Sequence, residues 1–272
     1  MSKQEANAYI LGTEITELHR LGLQHQIWSS ETRKGWELAG FTAGQTLLDL
    51  GCGPGFCTIE LAYIVGSNGK VIGVDKSASF INFLEQSNKL YNLNISLQCA
   101  DFNTMQLFDN SLDGVYSRWA LAWVSNPEEI ITKLHKALVV GGVMVTHEYF
   151  DWSTFQIDPF KPFLAKAIAA ALQSLRDQPG NIDIGRKLPV IFKKLGFEVI
   201  STRPMSKIAK PSELTWHWLK SFFNTYLPSL VSAGYITTDG VNKALQEFDE
   251  LEKEADTTIF CPQLIEVIAR KL

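Results

Sequence analysis

The sequence predicts an α/β fold, a doubly wound and mostly parallel sheet of seven strands with helices on both faces. Three observations predict it. From Thr46 onward, short apolar runs alternate with stretches of helical period. The first of those runs ends in a turn with glycine at every second position. Over 272 residues, 46% are hydrophobic and 20% charged, which supplies the apolar surface that one large core requires.

The elements follow in order. Residues 14–28 and 31–39 read as two N-terminal helices. Residues 46–50, Thr-Leu-Leu-Asp-Leu, form the first strand, and 56–65 a helix. Residues 70–75 give a second strand, and 77–91 a helix with Ile81, Leu84, Asn88 and Tyr91 on related faces. A third strand covers 95–99 and a fourth 112–117. The next helix, 127–138, has proline in its first turn and Gly141-Gly142 beyond its end. Residues 143–149 make the fifth strand. Helices at 159–175 and 186–195, a sixth strand at 197–202 and a last strand at 264–269 complete the pattern. Residues 211–255 read as a helical insertion before the last strand. No repeat, low-complexity tract or linker divides the chain, so residues 1–272 are expected to be a single domain.

Composition narrows the function. Lys and Arg number 25 against 29 Asp and Glu, a net charge of −4. Nucleic-acid binding needs a basic surface to displace counterions, and this balance argues against it. The first seven residues include an acid and no apolar stretch, and the longest apolar run, 137–145, is too short to cross a bilayer. Cys52, Cys57, Cys99 and Cys261 show no C-x-x-C or zinc spacing, so a reducing, cytoplasmic setting and a site without metal are expected.

The chemistry centres on Asp49-Leu50-Gly51-Cys52-Gly53-Pro54-Gly55. Glycine permits positive φ and lets a ligand lie against the main chain. The helix that follows directs unpaired N–H groups into the same crevice. A dinucleotide turn, G-x-G-x-x-G, would place Phe56 at its third glycine, where a bulky ring obstructs helix–strand packing. The D-x-G-x-G-x-G pattern is met without departure.

With this pattern the chain resembles the class I S-adenosylmethionine-dependent methyltransferases, in particular their small-molecule branch. The resemblance implies a Rossmann-like methyltransferase fold and S-adenosyl-L-methionine as cofactor. It covers residues 7–149. Asp49, Gly51, Cys52, Gly53 and Gly55 then form the cofactor turn. Asp75, closing the second strand, is the implied ribose ligand, and Lys76 stands where the family more often has an apolar residue against the adenine. Asp101 and Phe102, after the third strand, match the adenine-binding positions. Ser117 and Arg118 match the strand end whose backbone holds the methionine amino group. Arg20-Leu21-x-x-Gln24 resembles a helical signature that closes over the methionine end, with Tyr9, Gln24 and Trp28 as candidates. Residues 1–44 are thereby expected to cover the cofactor site.

The catalytic base is less defined. Trp123 occupies a position where relatives often carry histidine. Glu148, His147 and His217 are the candidates, although alternation along the fifth strand sends His147 and Glu148 to opposite faces. His147 suits a buried structural role. Trp216, Leu219, Phe222, Phe223 and Tyr226 recur at helical spacing and make the insertion a candidate lid over an apolar acceptor, with Phe150, Trp152 and Phe155 as further wall. The expected activity is methyl transfer to a small apolar or aromatic molecule. The alternative is a non-catalytic S-adenosylmethionine-binding sensor or scaffold. The sequence leaves the acceptor atom and the oligomeric state open.

Overall fold

Thr46–Leu50 (β1) is an inner strand, third from one edge of a seven-stranded sheet, in the computed structural model, which describes residues 15–272. Lys70–Asp75 (β2) and Ile95–Cys99 (β3) add to one side of β1, Leu112–Arg118 (β4) and Leu138–Asp151 (β5) to the other, all parallel. Three short strands, Gln156–Asp158 (β6), Ile208–Ala209 (β8) and Thr258–Phe260 (β9), form a separate antiparallel sheet. Phe197–Met205 (β7) and Gln263–Lys271 (β10) finish the main sheet, with β10 antiparallel between β5 and β7. The order is β3-β2-β1-β4-β5-β10-β7. The chain reverses its direction of growth at β1, and that switch point opens a crevice at the strands' carboxyl ends.

Side-chain alternation divides the core. Leu47, Val71, Tyr116, Val143, Val145 and Ile268 face Ile15–Ala39 (α1) and Phe56–Val65 (α2). Leu48, Leu50, Val74, Val115, Met144 and Val267 face the other side. There they meet Pro127–Ala137 (α4) and Leu188–Lys194 (α6), which follow Ala78–Tyr91 (α3) and Pro162–Arg176 (α5) in the chain. The seven-stranded sheet, the mostly parallel pairing and the insertion before the last strand all agree with expectation.

Four expectations need correction. The two N-terminal helices are one, α1, continuous through Ser29 and Ser30. Arg20, Gln24, Trp28, Thr32 and Trp36 recur every fourth residue and form one buried stripe, so nothing in the packing favours a break. Next, β5 begins at Leu138, directly after α4, and absorbs Gly141 and Gly142. Gly141 takes φ +82°, and the β4–β5 register slips there, so the glycines kink a strand and do not cap a helix. Third, residues 211–255 form two helices, Leu214–Ser232 (α7) and Thr238–Leu251 (α8). Gly234 at φ +81° turns the chain, and Thr237 caps α8 by accepting from the Gly240 N–H. The small β6-β9-β8 sheet is the fourth departure. It ties the base of the helical pair to the segment after β5, and Trp216, Phe223, Leu227 and Phe248 join the main core.

Helix α1 presses directly on the sheet at Gly35. A Cβ there would stand 2.3 Å from Glu266 Oε2 and 3.2 Å from His147 Nε2. Glu266 is held by His147 and Arg203 and has no room to retreat. Gly35→Ala therefore destabilises the protein by about 1–3 kcal/mol in urea unfolding, from overpacking, although helix propensity alone favours alanine by about 1 kcal/mol. Unchanged or raised stability would show that the helix does not sit on the carboxylate.

Candidate functional site

A cavity of about 470 Å³ opens at the carboxyl ends of β1 to β5, bounded above by α1 and α7. Its wall follows strand order. Asp49, Gly51, Cys52, Gly53 and Pro54 come from the β1 turn, and Asp75, Lys76, Ser77 and Phe80 from the end of β2. Ala100, Asp101 and Phe102 follow β3, while Arg118, Trp119 and Ala120 end β4. Tyr149 and Trp152 lie past β5. Arg20, Leu21 and Gln24 descend from α1, and Trp218, Leu219, Phe222 and Tyr226 from α7.

The three glycines of the turn take φ +74°, +53° and +90° for different steric reasons. A Cβ on Gly51 would meet Ala120 Cβ at 2.6 Å, and one on Gly55 would meet Leu84 Cδ1 at 2.2 Å. Gly53 has nothing within 4 Å of that position, so its bare face belongs to the cavity. The Gly53 N–H donates to Asp75 Oδ2 at 2.9 Å, and the Ser77 N–H to Asp75 Oδ1 at 2.8 Å. Each carboxylate oxygen retains a lone pair for a ligand hydroxyl. Burial raises the Asp75 pKa despite these bonds. Burial likewise pushes Asp49 up to about 6, opposed by the bond from Thr58 Oγ1 and by Arg118. Main chain left bare at Gly53, with a hydrogen-bond-poised carboxylate beside it, fits a nucleoside whose sugar meets Asp75.

Asp101 also lines the cavity, and its Oδ1 accepts from the Asn103 N–H and side chain. Lys133 Nζ donates to the carbonyls of Phe102 and Asn103 and so braces this loop, a role its sequence position did not signal. Gln24 Oε1 accepts from Arg20 and from Trp218 Nε1 at 3.1 Å, linking α1 to α7 at the cavity wall. Trp28 stands behind that wall, fully buried, with edge contacts to Trp119 and Trp218. Gly55 packs on α3, and Ser117 turns its buried side chain away from the cavity. Tyr9 lies outside the described residues.

None of the three candidate bases lines the cavity. His147 is buried, its Nε2 donating to Glu266 and its Nδ1 accepting the Tyr116 hydroxyl. Burial lowers its pKa, which keeps the ring neutral. Glu148 Oε1 accepts the Ala120 and Leu121 N–H groups and fixes the turn after β4. Burial pushes its pKa up to about 8. His217 is exposed on α7, 3.9 Å from Glu252. Phe150 and Phe155 lie off the cavity wall, the former beneath Arg186 and the latter against Phe223. Among the described residues there is no cluster of three or more His, Cys, Asp or Glu that could hold a metal.

Sequence reasoning missed a polar row under α1. Asp49, Tyr116, Arg118, His147, Glu266 and Arg203 stand on neighbouring strands from β1 to β7, in register pairs Asp49↔Tyr116, Arg118↔His147, His147↔Glu266 and Glu266↔Arg203. Arg203 also pairs with Glu31 of α1. The available signal was polar side chains at alternate positions of otherwise apolar strands.

A family model described as a methyltransferase domain matches residues 41–179. Among curated proteins, the chain is 30% identical over 194 residues to an uncharacterized 37.1 kDa protein of transposon Tn4556 from Streptomyces fradiae, covering 71% of this chain and 54% of that one. It therefore spans about half the length of that relative. It is 28% identical over 197 residues to the demethylmenaquinone methyltransferase of Oceanobacillus iheyensis, covering 66% and 79%. In structure it resembles geranyl diphosphate C-methyltransferase from Streptomyces coelicolor, solved with S-adenosyl-L-homocysteine, at TM-score 0.55 and 13% identity, over 91% of this chain and 80% of that one. At that identity the likeness shows the fold.

Two predictions follow from the site's geometry. Asp75→Ala weakens S-adenosylhomocysteine binding by about 1.5–3 kcal/mol in calorimetry, the range for a hydrogen bond to a charged group. Gly53→Val abolishes it, because the side chain fills the bare face and forces φ +53° on a β-branched residue. Wild-type affinity in either variant places the ligand elsewhere. For Glu148, the folded pKa near 8 stands above the ordinary 4.5, so unfolding releases a proton between those values. Its contribution to stability is complete below pH 4.5, falls as pH rises to 8 and is level beyond. Glu148→Gln removes that slope, and urea unfolding at pH 5, 7 and 9 should show the wild type losing a few kcal/mol more than the variant, of order 1.4 per unit.

Proposed function

Because the chain belongs to the methyltransferase-domain family, we propose that it transfers a methyl group from S-adenosyl-L-methionine to a small apolar or aromatic molecule. The observation that carries this reading is one cavity with two unlike halves. The half at β1–β3 has the bare Gly53 main chain and the Asp75 and Asp101 carboxylates. The half at β5 and α7 is aromatic, built from Trp119, Tyr149, Trp152, Trp218, Phe222 and Tyr226.

When bound, the cofactor supplies an activated methyl group whose bond to sulfur breaks as the acceptor's electron pair attacks. The protein's task is alignment and the exclusion of water. Asp75 grips the sugar through its remaining lone pairs and holds it against Gly53. Trp119 stacks between Tyr149 and Trp218, with ring centroids 5.6 and 6.2 Å away, and forms a flat wall where the two halves meet. It does so at φ +53°, a strained backbone for tryptophan. Glu148 holds the next two N–H groups and so fixes that strained turn. The Gln24–Trp218 bond closes the roof between α1 and α7. The aromatic half and the acidic net charge favour a small molecule over nucleic acid. All four cysteines are free, and on that ground we place the protein in a reducing cytoplasm.

Calorimetric titration with S-adenosylhomocysteine, followed by transfer of labelled methyl to a panel of apolar and polar acceptors, tests the reading. Labelling of polar acceptors alone would overturn the acceptor class, and failure to bind the nucleoside would overturn the activity. Phe222→Ala should raise KM for an apolar acceptor roughly tenfold, from the lost burial of one ring, with nucleoside affinity within twofold of wild type. Equal losses in both would place Phe222 outside the acceptor half.

A further inference from the structure

Five indole N–H groups, those of Trp28, Trp36, Trp119, Trp152 and Trp216, are buried without a hydrogen-bond acceptor among the described residues. Trp28, Trp36 and Trp216 stand away from the cavity. Trp119 and Trp152 line its aromatic half and are 9% and 5% exposed. Trp218, on the same wall, gives its N–H to Gln24. A buried donor left unpaired carries the full cost of its desolvation. Water is a poor remedy beside Trp152. A buried water needs about two to four polar partners, and the rings packed there, Tyr149, Phe155 and Phe222, carry one hydroxyl among them.

The wall also says what kind of ligand group fits. An indole N–H only donates, so its partner must offer a lone pair. The carboxylates that line the cavity, Asp49, Asp75 and Asp101, all belong to the nucleoside half. An ammonium on the acceptor would find no anion in the aromatic half. Nor are the rings arranged as a cation cage, which needs open ring faces. Trp119 is within 20° of parallel to both Tyr149 and Trp218, and Trp152 is within 18° of parallel to Phe155, so these faces are turned on one another.

We propose that the methyl acceptor carries an acceptor-only oxygen, a ring ketone or a phenolate, and that the Trp152 indole N–H bonds to it. The proposal rests on the reading of the aromatic half given above and narrows it. An apolar hydrocarbon would fill the same space and leave the donor unpaired. The Trp119 N–H supplies the same chemistry nearer the nucleoside half.

Calorimetry with three matched bicycles tests this on wild type and Trp152→Phe, with circular dichroism to verify folding. α-Tetralone bears the carbonyl, tetralin bears no polar group and aminotetralin bears an ammonium. Trp152→Phe keeps an aromatic ring and removes the N–H. It should lower the ratio of tetralone to tetralin affinity by about 3- to 10-fold, the worth of one hydrogen bond. The Trp152 indole proton resonance, identified by its loss in the variant, should move downfield with tetralone and stay in place with tetralin. An unchanged affinity ratio overturns the proposal, as does tighter binding of aminotetralin than of tetralone by the wild type. Should the variant not fold, the wild-type spectrum decides: no indole proton moving downfield with tetralone alone overturns it. Each titration is run with and without S-adenosylhomocysteine. Failure to bind the nucleoside counts against the cofactor reading, whereas failure to bind any bicycle overturns the proposal.

Discussion

The hydrogen bond from the Gly53 N–H to Asp75 Oδ2 joins the two features on which the site depends. It ties the turn after β1 to the end of β2 and leaves the glycine's other face uncovered. The neighbouring glycines serve this arrangement indirectly. Gly51 lets the chain pass under Ala120, and Gly55 lets α2 start against Leu84. A pattern that looks uniform in sequence thus satisfies three separate steric demands, of which one concerns the ligand.

Beneath α1 the sheet spends apolar area on polar contacts. The row from Asp49 to Arg203 is buried through most of its length, and its inner members bond to one another. Such groups are costly when one partner is removed and near neutral when all are satisfied. Glu266 shows the balance. Burial alone would raise its pKa, yet the bonds from His147 and Arg203 outweigh that and keep it lowered. The ion pair of Arg203 with Glu31 extends the row into α1, so the same network that crosses the sheet also seats the helix above the cavity.

The seven strands of the main sheet and the glycine turn after β1 were legible in the sequence because each is written locally, in apolar runs of strand length bounded by glycine or an acid. What was not legible has physical causes. The buried stripe of α1 mixes Arg20, Gln24 and Thr32 with Trp28 and Trp36, so hydrophobic period could not reveal one continuous helix. The break between α7 and α8 depends on Gly234 and a threonine cap within a long helix-forming stretch. Gly141 and Gly142 read as a helix stop, but tertiary pairing with β4 made them part of a strand. His147 and Glu148 are chemically able residues whose partners, Glu266 and the turn after β4, are distant or main-chain groups that no motif announces.

The bond between Gln24 and Trp218 has a mechanical consequence. Gln24 belongs to α1 and Trp218 to α7, and both side chains line the same cavity. Lifting either helix strains or breaks the same contact, so a displacement of one roof element is passed to the other.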